Sequence, residues 1–443
     1  MVKEKKLTVF ALAWPMFFEH LLRMLLGNVN IIMLGRYSDD AVGAVGVSNQ
    51  IIMMALTLFA VISTGSAIVI NQYLGAEKRK EAGQSAAAAI YINIGLGIAI
   101  SIVLFIFTPA LLRLMNLYGE QMEIAQRYLR IVGAVAAAQA LTATLFAIIR
   151  SYGFPRHTLA IAVVMNIINI IGNYIVIFRP FEIPSYGVTG IAVTRVISEI
   201  AGLTIAAVFV IIKLGVIEHF KTDFPPPTVV FKRIIRIGAP AAAEGISWTA
   251  TQTIITALIS MIGPVALTTR IYVNNVVMYV FVLSMSIGGA GQILAGRLAG
   301  AGKMEEVYAL CVRNLKIAFT TNTSLSVIFM LMRFHLLRIF TSDPEILMLG
   351  AGIMMLDVVV QAGRALNHTI PPCLRGAGDV RYPMIVQVIS MWGVGIPLCW
   401  IVVRFTPLGL HGIWLVFALE ECSRGIIMYL RLRSRKWEKI SVI

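Results

Sequence analysis

Apolar stretches long enough to cross a hydrocarbon core recur along the whole chain, separated by short polar or charged breaks. Twelve helical spans follow. Their approximate limits in the first half are 10–34, 42–73, 83–112, 122–149, 157–178 and 188–212. In the second half they are 234–261, 267–297, 309–332, 346–372, 382–404 and 411–430. The pattern predicts an all-α integral membrane protein.

The two halves carry the same landmarks. Pro15, Glu19 and Asn49 recur 225 residues later as Pro240, Glu244 and Asn274. Arg150, Gly153 and Arg156 recur as Arg375, Gly378 and Arg381, and the stretch from Gly75 to Glu81 recurs from Gly300 to Glu306. Gly187 and Gly190 recur as Gly409 and Gly412 at a slightly shorter offset. Six spans per half is an even number, so both copies enter the membrane in the same direction. The expected design is two six-helix bundles related by a pseudo-two-fold axis along the membrane normal. Residues 1–222 would form the N-lobe and 223–443 the C-lobe. The connection from Lys213 to Arg236 contains Pro225-Pro226-Pro227 and is expected to be an extended link.

Composition agrees with this. Of 443 residues, 58% are hydrophobic and 13% charged, too little polar surface for a soluble domain of this size. The formal charge of +15 lies mainly on alternate loops, for example Lys78, Arg79 and Lys80, or Arg431, Arg433 and Arg435. The opposite loops hold Arg36, Arg113, Arg179, Arg270, Arg333, Arg338 and Arg404. That asymmetry orients a plasma-membrane protein with both termini cytoplasmic, and it requires no nucleic acid. Cys311, Cys373, Cys399 and Cys422 show no ligand or disulfide spacing and read as small buried hydrophobes.

Other function classes lack their signals. There is no G-x-x-x-x-G-K-[ST] loop and no segment large enough for a nucleotide-binding domain, so transport would draw on an ion gradient or run downhill. No H-E-x-x-H, nucleophile elbow or Cys/His spacing points to an enzyme, and no filter repeat points to a channel.

Several motifs together give the chain a family resemblance: Ala13-Trp14-Pro15 opening the first span, IIMLGRYSDDAVGAVGVSNQI after it, GAEKRKEA, NIINIIGNYIVIF, YGVTGIAVTRVISE and LRGAGDVRYP. In order and spacing the chain resembles the multidrug and toxic compound extrusion (MATE) transporters. The resemblance implies two bundles forming a V around a central cavity. It also implies export of organic cations or other amphipathic compounds in exchange for Na+ or H+. No cofactor is implied, the partners are a small molecule and the bilayer, and a monomer is expected. Many members carry an Asp where this chain has Asn30, and an Asp or Asn where it has Asn173. A flippase for a lipid-linked sugar or phospholipid is the alternative, kept open by Arg23, Arg195, Arg364 and Arg424.

Charged residues at membrane depth mark pathways or buried pairs. Glu19 with Arg23, Arg195 with Glu199, and Glu420 with Arg424 are four apart and predict pairs within one helix, while Glu421 should point away from Glu420. Asp39 and Asp40 read as a solvated helix cap. Glu244 has no base within four positions and sits among Ala241, Ala242, Ala243 and Gly245. It must be protonated, bind a cation, or pair with a distant base. The resemblance adds that members with a C-lobe cation site use an acid in this span and in the tenth. Glu244 and Asp357 are therefore the candidate cation-coupling residues, with Arg364 on the same face as Asp357 and in position to neutralise it. Two such carboxylates suit Na+ through hard oxygen ligands, or a proton through desolvation. Glu19, Asn49, Gln50, Asn173, Asn274 and Asn275 are the candidate substrate-cavity residues, Asn166, Asn169 and Asn173 sharing one helical face. The abundant methionines, Met53, Met54, Met278 and Met354 among them, would supply a pliable wall or simple packing. Pro371-Pro372 and Pro397 are candidate bends.

Overall fold

A computed structural model describes residues 7–115, 117–178, 187–215 and 228–440, apart from the Asp39 side chain. Helix occupies every predicted span. The elements are α1 (Val9–Gly35), α2 (Asp39–Gly75), α3 (Arg79–Leu114), α4 (Gly119–Ala134), α5 (Ala136–Ser151), α6 (Pro155–Phe178) and α7 (Gly187–Leu214). They continue with α8 (Thr228–Ser260), α9 (Pro264–Gly300), α10 (Met304–Leu331), α11 (Arg333–Arg338) and α12 (Pro344–Ala377). After α13 (Arg381–Ser390), a π-helical turn over Met391–Gly395, α14 (Ile396–Phe405) and α15 (Gly409–Arg433) complete the bundle. The triple-proline segment lies outside the described residues, and helix has resumed by Thr228, within the expected link.

Eight described helical segments are long and apolar enough to cross a membrane, with α13, the π turn and α14 counted as one continuous segment, or nine with the α4–α5 pair counted as one span. The long helices that fall short, α8, α10 and α15, carry charges along their length: Glu244 on α8, Arg313 and Lys316 on α10, and Glu420, Glu421 and Arg424 on α15. These charges lower their hydropathy; Glu420, Glu421 and Arg424 are buried, whereas Arg313 and Lys316 are exposed.

Two predicted spans depart from regular α-helix. The fourth bends by 49° between α4 and α5 at Val135. Ser101 Oγ accepts a hydrogen bond from Ala137 N at 3.1 Å, so a backbone donor freed by the break is satisfied. The eleventh widens into the π turn just before Pro397, which has no N–H to donate to a regular ladder. Pro371 and Pro372 are buried within a continuous α12.

The chain forms two compact units. The N-terminal unit holds residues 18–70 and 78–239; the C-terminal unit holds 1–17, 71–77 and 240–443. The N-terminal core gathers Leu34, Phe59, Leu104, Leu129, Val132 and Ile191. The C-terminal unit has one cluster around Leu12, Ile293, Leu374 and Trp437, and another around Ile259, Val273, Ile353 and Trp414. Within it the ends of α2 and α9 touch reciprocally. A Cβ on Gly75 would lie 1.9 Å from the carbonyl oxygen of Arg297, and one on Gly300 would lie 1.9 Å from that of Gln72. Only glycine permits that approach of backbone to backbone. Gln72 Nε2 also donates to Gly376 O at 2.8 Å.

Candidate ion-coupling site

Each unit holds a Glu–Arg ion pair joining the first span of a repeat to the end of its fourth. In the N-terminal unit, Arg150 Nη1 donates to Glu19 Oε1 at 3.1 Å and to Oε2 at 3.3 Å. Thr158 Oγ1 donates to Glu19 Oε2 at 3.0 Å, and Arg23 lies 3.5 Å from Oε1. In the C-terminal unit, Arg375 Nη1 donates to Glu244 Oε2 at 2.6 Å. Of the three fates open to Glu244, pairing with a distant base is the one observed. The expected Glu19–Arg23 contact forms, but Arg150 makes the shorter one.

Beyond these pairs further acids and bases sit together on α12 and α15. Glu244 acts electrostatically on Arg424. Arg424 holds both acids of α15: Nε lies 3.2 Å from Glu420 Oε1 and Nη2 2.6 Å from Glu421 Oε2. Glu420 and Glu421 take their other partners from different helices, and the long guanidinium of Arg424 spans both carboxylates. Glu421 also accepts from Asn367 Nδ2 at 2.8 Å and from Arg364 Nε at 3.3 Å. Glu420 accepts from Ser390 Oγ at 2.7 Å, next to the π turn.

Arg364 therefore lies on Glu421 rather than neutralising Asp357 directly. Asp357 is 3% exposed and makes no ion pair among the described residues. Its oxygens accept from two neutral donors, Gln361 Nε2 at 3.0 Å and Trp414 Nε1 at 3.2 Å. Arg364 remains near enough to act on it electrostatically. Arg270, also buried, is held by Gln252 Oε1 at 2.9 Å and Thr256 Oγ1 at 2.8 Å. The described residues hold no group of three or more His, Cys, Asp and Glu placed around one metal.

The expected cavity residues separate into different surroundings. Asn49 Oδ1 accepts from Arg195 Nη1 at 2.6 Å, and Tyr128 OH accepts from the same nitrogen at 2.8 Å. These replace the expected close Arg195–Glu199 pair, although Arg195 and Arg23 both act on Glu199 electrostatically. Asn173 Nδ2 donates to Asn30 Oδ1 at 3.0 Å and to Asn169 Oδ1 at 3.2 Å. Gln50, Asn274 and Asn275 are exposed, and Glu19 is buried. Met53 and Met54 are exposed while Met354 is buried. Asp40 lies in the first turn of α2 and accepts from Gln121 Nε2 at 2.8 Å.

Sequence reasoning missed Arg150 and Arg375 as the partners of Glu19 and Glu244, and it missed Gln361, Trp414 and Asn367. Each missed ion-pair partner lies 131 residues from its acid. That repeated separation of two scarce charged residues was the available signal.

The MatE family model matches the chain twice, over residues 15–175 and 240–401. The two matches begin at Pro15 and Pro240, the first landmarks of the duplication. The chain is 36% identical over 434 residues to the uncharacterized transporter YisQ of Bacillus subtilis, covering 98% of this chain and 95% of that protein. It is 28% identical to the probable multidrug resistance protein NorM of Thermotoga maritima, covering 100% and 95%. Its fold resembles that of an outward-facing multidrug resistance MATE family transporter of the MOP superfamily. There the TM-score is 0.90 at 20% identity, over 98% of this chain and 96% of that one.

Proposed function

Given that the chain belongs to the MatE family of multi-pass membrane transporters, we propose that it exports organic cations or amphipathic drugs by alternating access, in exchange for Na+ or H+. Its place would be the plasma membrane with both termini cytoplasmic, as the loop charges favour. The description of the Thermotoga maritima relative supports the substrate class.

The observation that carries the coupling reading is Asp357. A carboxylate buried among helices, with neutral donors only, is expensive to keep charged and gains most from a cation. Glu244 belongs to the same charge sequence through Arg424 and is its second member in this reading. N–H donors, and not oxygens, face both Asp357 oxygens, and a guanidinium faces Glu244. Hard cations require oxygen ligands, which these contacts do not supply, and burial of Asp357 makes its charge costly, so a proton is the coupling ion this reading prefers. The flippase alternative loses support because Arg195, Arg364 and Arg424 each already contact an acceptor inside the bundle, which leaves Arg23, 69% exposed, as the available one of the four. Anionic headgroups would need cations left free.

Reconstituted transport tests the reading. Uptake of an organic cation such as ethidium into proteoliposomes should respond to an imposed ion gradient. A response confined to lipid-linked oligosaccharide would favour the flippase.

A further inference from the structure

Asp357, Gln361 and Arg364 follow one another at spacings of four and three on α12, so they share one face. Gln361 gives its amide N–H to Asp357, while its Oε1, in a side chain that is 0% exposed, has no hydrogen-bond partner among the described residues. A buried amide oxygen without a donor is costly, so it is open to a donor that comes within reach. Arg364, three positions on, is the nearest cation on that face. Its present acceptor, Glu421, already has Arg424 and Asn367 and is over-supplied, whereas Asp357 is under-supplied. Arg364 is also the more exposed of the two, at 18% against 9% for Glu421.

Arg364, Glu420 and Glu421 line a narrow recess with Gln252, Met391 and Phe417. Met391 opens the π turn, where regular helix pairing is already relaxed. An acid pair beside an aromatic ring and a pliable thioether suits a small organic ammonium group.

Resting on the antiport reading above, we propose that Arg364 is the exchange element that makes cation and substrate exclude one another. With Asp357 unloaded, the guanidinium lies on Asp357 and Gln361 Oε1, and Glu420 and Glu421 receive the ammonium group of the substrate in the recess. With Asp357 loaded by the coupling cation, Arg364 keeps Glu421, the acceptor it has in this structure, and displaces that group. Opposed preferences of this kind are what coupled exchange requires. The other charged and titratable groups around Arg364 are Glu420, Glu421 and Arg424 from α15, Arg270 from α9, and Asp357 and His368 on α12.

The test is binding of dansylcadaverine, an amphipathic primary ammonium, to the purified full-length protein at alkaline and acidic pH. Wild type should bind more weakly at acidic pH. Asp357→Asn, permanently loaded, should bind about tenfold or more weakly at both pH values. Adding Arg364→Gln to it should restore affinity to within about threefold of alkaline wild type. Arg364→Lys, which keeps the charge, should keep the pH dependence, and thermal melts confirm folding of each variant. The proposal is overturned if Arg364→Gln alone retains the wild-type pH dependence, or if Asp357→Asn binds like wild type. Ion-driven transport by wild-type proteoliposomes judges the antiport reading separately. Its presence, with pH-dependent binding unchanged in Arg364→Gln, removes only the Arg364 proposal; its absence removes both.

Discussion

The two units begin with the same ion pair and finish differently. Glu19–Arg150 and Glu244–Arg375 join equivalent helices in each repeat. From Glu19 the N-terminal unit continues through Arg23 and Glu199 to Arg195, a cation resting on Asn49 and Tyr128. From Glu244 the C-terminal unit continues through Arg424, the adjacent Glu420 and Glu421, and Arg364 to Asp357. One series terminates in a base satisfied by neutral acceptors, the other in an acid. The position that resemblance marks as an acid in many relatives is Asn30 here, bonded to Asn173. Duplication supplied a common frame, and the buried acids Asp357, Glu420 and Glu421 are concentrated in one copy.

The comparison breaks most readily at its acids. Glu244→Gln should abolish ion-driven efflux while leaving the protein inserted, read by uptake into vesicles and by membrane fractionation. Glu19→Gln should act on stability instead. Glu19 is 2% exposed and its loss leaves Arg150 unpaired, which costs about 3–5 kcal/mol for a buried pair; Glu244, 14% exposed, should cost less. Thermal melts of the two variants would order them. Gly75→Ala and Gly300→Ala should each destabilise by about 1–3 kcal/mol and by similar amounts, since each Cβ meets the partner helix's backbone. A large inequality between their melts would show that the reciprocal contact is not shared. Ser101→Ala, which removes the acceptor for Ala137 N at the α4–α5 bend, should cost about 1 kcal/mol by the same measure.

The smallest effect belongs to the surface. Arg435 bonds Glu305 and holds its carboxyl below the usual range. A lowered folded-state value means that the contribution is present above the ordinary carboxylate range and fades as pH falls through the lowered value. Both groups are exposed, so Glu305→Gln should shift the melt slightly at neutral pH and low salt, and not at all at high salt.

The twelve helical spans were legible because most are apolar runs bounded by charge, and the duplication because Pro15, Glu19 and Arg150 are scarce residue types repeated at one spacing. The bend at Val135 was not legible. It depends on a hydroxyl from another helix, Ser101, accepting a freed amide. Partners within one helix were partly legible: Glu420 does reach Arg424, but Arg195 turned to Asn49 on another helix. Asp357 was identified, while its surroundings were not, because Trp414 lies on α15 and helix spacing carries no information about which face a distant helix presents.

The central claim is that Asp357 seats the driving cation. Proteoliposomes containing wild type or Asp357→Asn, with Na+ and pH gradients imposed separately and uptake of ethidium followed, test it most directly. Wild type should respond to the pH gradient, and Asp357→Asn should show only the slow exchange that persists without a gradient, a loss of about tenfold to a hundredfold. Full gradient-driven uptake by Asp357→Asn would contradict the account.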